Sequence, residues 1–158
     1  MLGWVNKGMK TFWLYRPVLN ADDILLWAGA NRVKKIMPLE ELHTTIAVVR
    51  EPVEWPVDLK TNEITITGAS MQIFGYTVKA LAFECPELVE RRAELAERFP
   101  QMDHVTNMRP HVSLYRGGRM IQTDYTGDII LGPEQIVEFV EEQGRNIKHV
   151  SVATLMNG

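Results

Sequence analysis

Two short patterns in the sequence each place a histidine two residues before a hydroxyl side chain, within runs of β-branched and apolar residues. One begins at His43 and ends at Thr45, and the other begins at His111 and ends at Ser113, 68 residues further along the chain. Successive side chains of a β-strand point to opposite faces. Each histidine is therefore predicted to share a strand face with its own hydroxyl residue.

These four side chains suit the cleavage of a phosphodiester. Imidazole titrates near neutral pH, so one histidine can accept a proton while the other donates one. Hydroxyl groups can donate hydrogen bonds to phosphate oxygens and stabilise charge that develops in the transition state. The patterns predict acid–base catalysis without a metal ion or cofactor. His43 is the predicted base and His111 the predicted acid, or the reverse.

The elements around the two patterns predict an α+β fold in a single domain made of two similar halves. Strands are predicted at residues 11–16, 42–50, 63–74, 76–83, 111–116, 128–131 and 147–154, and helices at 20–30 and 86–99. The segment 134–140 is left undecided. The halves are expected to span roughly 11–75 and 76–158, because each motif strand precedes a further strand that runs into a glycine.

Apolar positions predict which sides of these elements are buried. In the first motif strand, Ile46 and Val48 are expected on the core face, opposite the histidine. The helix at 86–99 is amphipathic, and its predicted buried stripe consists of Leu88, Val89, Leu95 and Phe99. The charged residues between 87 and 97 are expected to be solvated.

Tyr15 and Arg109 are candidates for substrate binding. Tyr15 shares a predicted strand face with Trp13, and its hydroxyl favours a wet edge where the ring could stack on a base. Arg109 and Arg116 flank the second motif and could contact a phosphate or a base. The alternative for each of these residues is an ordinary structural or surface role.

Phe74 and Glu138 occupy matching places in the two predicted halves. Each lies six residues after a glycine, Gly68 or Gly132, and both are predicted to face the cleft while Val137 faces the core. Phe74 could stack on one base and Glu138 could accept a hydrogen bond from the amino edge of another. The alternative is a surface aromatic side chain and a solvated acid.

Two other histidines also precede a hydroxyl residue by two positions. His104 lies in a predicted loop, and His149 leaves too few residues after it for the rest of a half-repeat. His111 has a preceding proline, apolar alternation and a downstream strand, so it is the predicted second catalytic histidine.

The net charge limits the kind of nucleic acid that the protein could bind, and the cysteine content indicates its cellular compartment. The net charge is -3, whereas a protein that grips long nucleic acid usually has a basic face. Any nucleotide partner is therefore expected to be short. The single cysteine, Cys85, excludes an intrachain disulfide and favours a reducing compartment. With no recognisable signal peptide or membrane-spanning run, a cytoplasmic protein is expected. No oligomeric state is predicted.

The segments HTTI at 43–46 and PHVSL at 110–114 resemble the paired His-x-Thr/Ser signatures of the 2H phosphoesterase superfamily. The order of the halves extends the resemblance to most of the chain. FWLYRP, EELHTTIA and MRPHVSLYR look like the phage-encoded branch that degrades cyclic di- and trinucleotide signals and so blunts cyclic-oligonucleotide-based antiphage defence (CBASS). The resemblance implies antiparallel sheets lining a central cleft with helices outside, and catalysis by the two histidines and two hydroxyls.

The implied substrate is a small cyclic oligonucleotide such as 3′,3′-cyclic GMP-AMP, cut at a 3′–5′ bond in the host cytoplasm. Two alternatives stay open. The protein could be an RNA 2′,3′-cyclic phosphodiesterase that acts on RNA ends, or a sponge that binds cyclic nucleotides without cutting them.

Overall fold

Eight strands and two α-helices make up the regular structure of the residues described by the computed structural model, which are 9–33, 35–50, 58–75, 77–100, 109–142 and 145–151. The strands are β1 (Met9–Pro17), β2 (His43–Arg50), β3 (Ile64–Phe74), β4 (Val78–Ala82), β5 (His111–Arg116), β6 (Tyr125–Leu131), β7 (Gln135–Glu142) and β8 (Arg145–Ser151). The helices are α1 (Ala21–Ala30) and α2 (Pro86–Arg98), and a short 3-10 helix covers Leu39–Glu41.

The predicted α+β class and the predicted order of elements are confirmed. The segment that the sequence left undecided is strand β7. Within the described residues, neither helix combines the length and the apolar composition needed to cross a bilayer.

The strands form two antiparallel sheets, with the orders β2-β1-β7-β8 and β5-β4-β3-β6. Each motif strand is thus the edge of its own sheet, and the edges β2 and β5 lie next to each other without pairing. Each sheet also takes strands from both sides of the predicted boundary near residue 75. The half-repeats stay a prediction about the sequence and do not correspond to one sheet each.

The hydrophobic core joins both sheets and both helices. Its fully buried side chains include Leu14, Ile24, Leu42, Leu81, Leu95, Leu114, Ile129 and Ile136. In α2 the predicted stripe is correct for three of its four residues, but Val89 is 55% exposed. Arg91 takes the buried place instead, because it lies three and four residues from Leu88 and Leu95 and so on the same helix face.

Arg91 makes a buried ion pair, so the prediction that all charged residues of α2 are solvated is wrong. Its guanidinium donates from Nε and Nη2 to the two carboxylate oxygens of Glu134, both at 2.9 Å. The Glu134 side chain is 0% exposed. Arg91 also reaches the carbonyl of Asp58, and Glu134 accepts from the amide of Lys60 at 2.9 Å. The pair ties α2 to two loop segments.

A β-bulge interrupts each motif strand just after its hydroxyl residue. In β2, Leu14 pairs with Ala47 and Tyr15 with Thr45, so Ile46 is the extra residue. Ile46 and Ala47 are consecutive buried residues, which shifts the alternation by one position. Val48 is therefore partly exposed and Val49 is buried, and the expectation that Val48 faces the core is wrong.

The second motif strand has the same irregularity. Lys79 of β4 pairs with Tyr115 and Ala80 with Ser113, so Leu114 is the extra residue of β5. Bulges are common next to active sites, where they re-aim a side chain or end strand pairing. Both hydroxyl residues thus stand at a point where the backbone of an edge strand changes direction.

Replacing Glu134 with glutamine should destabilise the protein, because the buried Arg91 charge loses its counterion. Breaking one side of a buried ion pair typically costs about 3–5 kcal/mol of the free energy of unfolding. The free energies of unfolding of Glu134→Gln and Glu94→Gln, measured in urea and compared with the unaltered protein, test this prediction. Glu94 is the other carboxylate paired with Arg91, at 3.3 Å, but its side chain is 60% exposed. Its loss should cost less than about 1 kcal/mol. Equal effects of the two substitutions would contradict the prediction.

Candidate active site

Each motif histidine makes the same type of hydrogen bond, from ring Nδ1 to a main-chain carbonyl. His43 Nδ1 lies 2.6 Å from the carbonyl oxygen of Glu41, and His111 Nδ1 lies 2.8 Å from that of Arg109. A carbonyl oxygen can only accept, so Nδ1 of each ring carries the proton. In the neutral ring, Nε2 is then the nitrogen with a free lone pair. Both histidines therefore offer the same atom to a substrate.

The two hydroxyl residues share the strand face of their histidines. Thr45 and Ser113 are partly exposed, whereas the intervening residues Thr44 and Val112 are 1% and 0% exposed. This is the alternation that the sequence predicts. Because β2 and β5 adjoin, the structure brings the two histidine–hydroxyl pairs to facing edges of the two sheets.

Each histidine also has its own aromatic neighbour. The Tyr15 ring meets His43 edge-on, with centroids 5.4 Å apart and an interplanar angle of 70°. The Phe74 ring stacks on His111 at 3.9 Å and 15°. Phe74 belongs to β3, where it pairs with Val78 of β4, and His111 of β5 pairs with Ala82 at the other end of β4.

The hydrogen bond of His111 is partly buried, whereas that of His43 is exposed. Burial is the main cause that lowers the pKa of His111 from the ordinary value for histidine. The positive charge of Arg92 and the charged form of His43 lower this pKa further, while the hydrogen bond to Arg109 opposes the shift. Near neutral pH, His111 is therefore expected in its neutral form.

A cavity of about 510 Å³ opens beside His43. Residues of three strands line it, among them Trp13, Tyr15, Gln135 and Val137. The Tyr15 hydroxyl donates to Oε1 of Gln135 at 2.9 Å, and burial raises the pKa of this tyrosine. Volumes of about 300–1,000 Å³ are typical of small-ligand sites, so the cavity can hold a nucleobase.

The structure does not bring Glu138 to this cavity. In the register between β1 and β7, Trp13 pairs with Val137 and Phe12 with Glu138. Val137 is buried, with 5% of its surface exposed, as expected for a core residue, but it also lines the cavity. Glu138 alternates to the strand face of the fully buried Ile136. Its contact with a base stays a prediction that this placement does not support.

Arg109 takes part in the site through its backbone, since its carbonyl holds His111. Its guanidinium is paired with Glu84 at 3.1 Å, beside a second cavity of about 500 Å³. Arg116 is an exposed residue at the end of β5. The proposed contact of either side chain with a phosphate or base stays a prediction.

Of the other two histidines, only His149 belongs to the described residues. His149 lies on β8, which β1 and β7 separate from the motif strand β2. His104 lies outside the described residues. Across the described part of the chain, no three His, Cys, Asp or Glu side chains are grouped as metal ligands.

Arg92 is a residue of the site that sequence reasoning missed. It is partly buried on α2, and its Nε donates to the carbonyl of Ile46 at 3.0 Å. It lines a groove with Thr45 of the first motif and Pro110, which precedes the second. In the sequence it is one of several charges in a polar helix, and nothing local distinguishes it.

Two antiparallel sheets that each carry a His-x-Thr/Ser pair on an adjoining edge strand define the fold of a 2H phosphoesterase. Solved structures share this fold. Escherichia coli LigT in its apo form superposes with a TM-score of 0.62 at 13% identity, covering 91% of this chain and 96% of LigT. The protein TT0787 of Thermus thermophilus gives 0.58 at 14% identity, covering 89% and 94%. A third structure, described as a phosphoesterase, gives 0.61 at 14%, covering 92% and 97%.

Within this fold, the chain belongs to the family described as "Anti-CBASS protein Acb1", which matches residues 10–146. Two proteins of that description are similar to it. One, from Sphingomonas paeninsulae, is 26% identical over 148 residues, covering 84% of this chain and 24% of the relative. The other, from Caulobacter sp. (strain RHG1), is 25% identical over 153 residues, covering 87% and 24%. The chain thus spans about a quarter of the length of these relatives.

Replacing Phe74 with alanine should raise the pKa of His111, because the stacked ring contributes to the burial that disfavours the imidazolium form. Histidine titration followed by NMR in the substrate-free protein measures the effect. Phe74→Tyr, which keeps a stacking ring, is the matched control and should titrate like the unaltered protein. A pKa that stays the same or falls in Phe74→Ala would show that the ring does not shield His111.

Proposed function

We propose that this chain is a metal-independent phosphodiesterase that cleaves 3′–5′ bonds in small cyclic oligonucleotides and thereby counters CBASS signalling in the host cytoplasm. The observation that carries the proposal is the matched hydrogen bonding of His43 and His111 at Nδ1. It leaves Nε2 of both rings for proton transfer. Two such groups on facing edges supply both proton transfers of a phosphodiester cleavage, so the mechanism needs no metal.

In the first step, the ribose 2′-oxygen attacks the neighbouring phosphorus and the bond from phosphorus to the 5′-oxygen breaks. One histidine takes the proton of the 2′-hydroxyl, and the other gives a proton to the leaving 5′-oxygen. Thr45 and Ser113 donate hydrogen bonds to the phosphate oxygens, where negative charge develops. The product of this step is a linear oligonucleotide that ends in a 2′,3′-cyclic phosphate.

Their surroundings favour His111 as the base and His43 as the acid. The lowered pKa of His111 keeps this ring neutral near pH 7, in the form that accepts a proton. This is the second of the two assignments that the sequence left open. Environments that differ between paired titratable groups are a general means of separating acid and base roles.

A second step opens the cyclic phosphate and restores both rings. Water attacks phosphorus and loses its proton to His43, which is neutral after the first step. His111, now protonated, gives its proton to the leaving 2′-oxygen. Both histidines return to their starting forms, so the enzyme turns over without a further reagent.

The size and chemistry of the site support a small nucleotide substrate. The cavity beside His43 is lined by Trp13 and Tyr15, and aromatic rings bind bases by stacking. The net charge of -3 does not favour a long polyanion. Membership of a family described as anti-CBASS supports a cyclic oligonucleotide as the substrate.

Incubation with 3′,3′-cyclic GMP-AMP in EDTA, with products followed by chromatography, tests the proposed reaction. The unaltered protein should form a linear product, and His43→Ala and His111→Ala should each abolish turnover, because each removes one proton transfer. His149→Ala is the matched control and should keep full activity. A 2′-deoxy analogue should stay intact because it lacks the attacking hydroxyl.

Loss of activity in EDTA, or cleavage of the 2′-deoxy analogue, would contradict the mechanism. If the cyclic dinucleotide stays intact but RNA ending in a 2′,3′-cyclic phosphate is turned over, the substrate is RNA ends and not cyclic oligonucleotides. If heating the protein releases bound, uncut cyclic nucleotide, the protein is a sponge that binds the nucleotide and does not cleave it.

Tyr15→Ala should weaken substrate binding, because the ring borders both His43 and the neighbouring cavity. Loss of one stacked base typically costs about 1–3 kcal/mol, so KM for the cyclic dinucleotide should rise roughly tenfold or more. Tyr15→Phe keeps the ring and loses only the hydrogen bond to Gln135, and should stay close to the unaltered protein. Steady-state kinetics in which Tyr15→Ala keeps its KM would place the base elsewhere.

A further inference from the structure

The two bulges of the motif strands have carbonyl groups that need donors from outside their sheets. In β5, the carbonyl of Leu114 accepts from the main-chain amide of Met37 at 2.7 Å. In β2, the carbonyl of Ile46 accepts from Nε of Arg92 at 3.0 Å. The same structural need is thus met by a neutral main-chain group in one half and by a charged side chain in the other.

The charged donor lies between the two motifs. Arg92 lines a groove together with Thr45 of the first motif and Pro110, the residue before His111. Burial lowers the pKa of Arg92, but a guanidinium stays protonated in proteins. The guanidinium of Arg92 is therefore a permanent positive charge near His111.

Within the described parts of the chain, four elements contribute groups beside His111. Helix α2 contributes Arg92, and β2 contributes His43. Strand β3 contributes the ring of Phe74, and β4 contributes Ala82 as register partner. Of the two charge-bearing groups, Arg92 is the one whose charge does not depend on pH.

We propose that Arg92 is a positioning residue that couples the two catalytic motifs. Its Nε holds the bulge carbonyl next to Thr45, and its guanidinium places a positive charge in the groove that Pro110, the residue before His111, also lines. The first contact fixes where the Thr45 hydroxyl meets the phosphate, and the second prepares His111 to accept a proton. The kinetic part of this inference rests on the proposed function, whereas the effect on His111 does not.

Three substitutions separate these effects from a purely structural role. Arg92→Met keeps a long apolar stem but removes both the charge and the donor. Arg92→Lys keeps the charge without the fixed guanidinium fork. Arg119→Met removes an exposed arginine charge of another segment and is the matched control. Histidine NMR titrations of the substrate-free proteins, thermal unfolding, and pH profiles of kcat and KM with 3′,3′-cyclic GMP-AMP are measured for all of them.

In Arg92→Met, the pKa of His111 should rise, because a positive charge that disfavours the imidazolium is gone. In Arg92→Lys it should stay near that of the unaltered protein. For Arg92→Met, kcat should fall about 10–100-fold with little change in KM, as expected when a catalytic group is misplaced by about 1 Å. Arg92→Lys should lose less activity, and Arg119→Met should change neither quantity.

The pH profile also identifies the role of His111. The limb of the profile that belongs to His111 should move to higher pH in Arg92→Met. An ascending limb that moves makes His111 the base and supports the coupling, whereas a descending limb that moves makes His111 the acid and contradicts its preparation as a proton acceptor. An unchanged pKa of His111 in Arg92→Met would overturn the proposal, even if thermal stability falls. Because the titration needs no substrate, it gives its answer even if the cyclic nucleotide is not cleaved.

Discussion

The site depends on the hydrogen bonding of the backbone at two sheet edges. A buried carbonyl without a donor is costly, and each bulge takes one carbonyl out of the strand ladder just after the hydroxyl residue of a motif. Donors from a helix and from the segment before the 3-10 helix satisfy these carbonyls at Ile46 and Leu114. Two other carbonyls, two residues before each histidine, fix the rings. Main-chain geometry therefore sets both the position and the tautomer of the reactive groups.

Helix α2 connects this geometry to the rest of the fold through two neighbouring arginines. Successive residues of a helix point about 100° apart, so Arg91 and Arg92 reach different parts of the molecule. Arg91 anchors the helix to Glu134 in a buried ion pair, and Arg92 contacts the bulge of β2. The position of the helix, and with it the donor at Ile46, is maintained by the ion pair.

The two halves of the site are similar in sequence but differ in their surroundings. His43 meets a tyrosine edge beside an open cavity, whereas His111 lies under the stacked ring of Phe74 and near a fixed positive charge. Equivalent motifs thereby lie in different surroundings. This asymmetry is what acid–base chemistry with two chemically identical groups requires, since one must accept a proton while the other donates one.

The sequence by itself determined the α+β class, the order of the elements and the two histidine–hydroxyl pairs, because strand alternation and chain order are local properties. It favoured a wet edge for Tyr15 and left a structural role for this residue open. It could not determine the bulges, which depend on register with β1 and β4, and so it misplaced Val48. The same dependence on pairing placed Val137 rather than Glu138 at the cavity. Only the tertiary structure decided the roles of Arg91 and Arg92, because a charge in a polar helix is distinguished only by the distant groups that it meets.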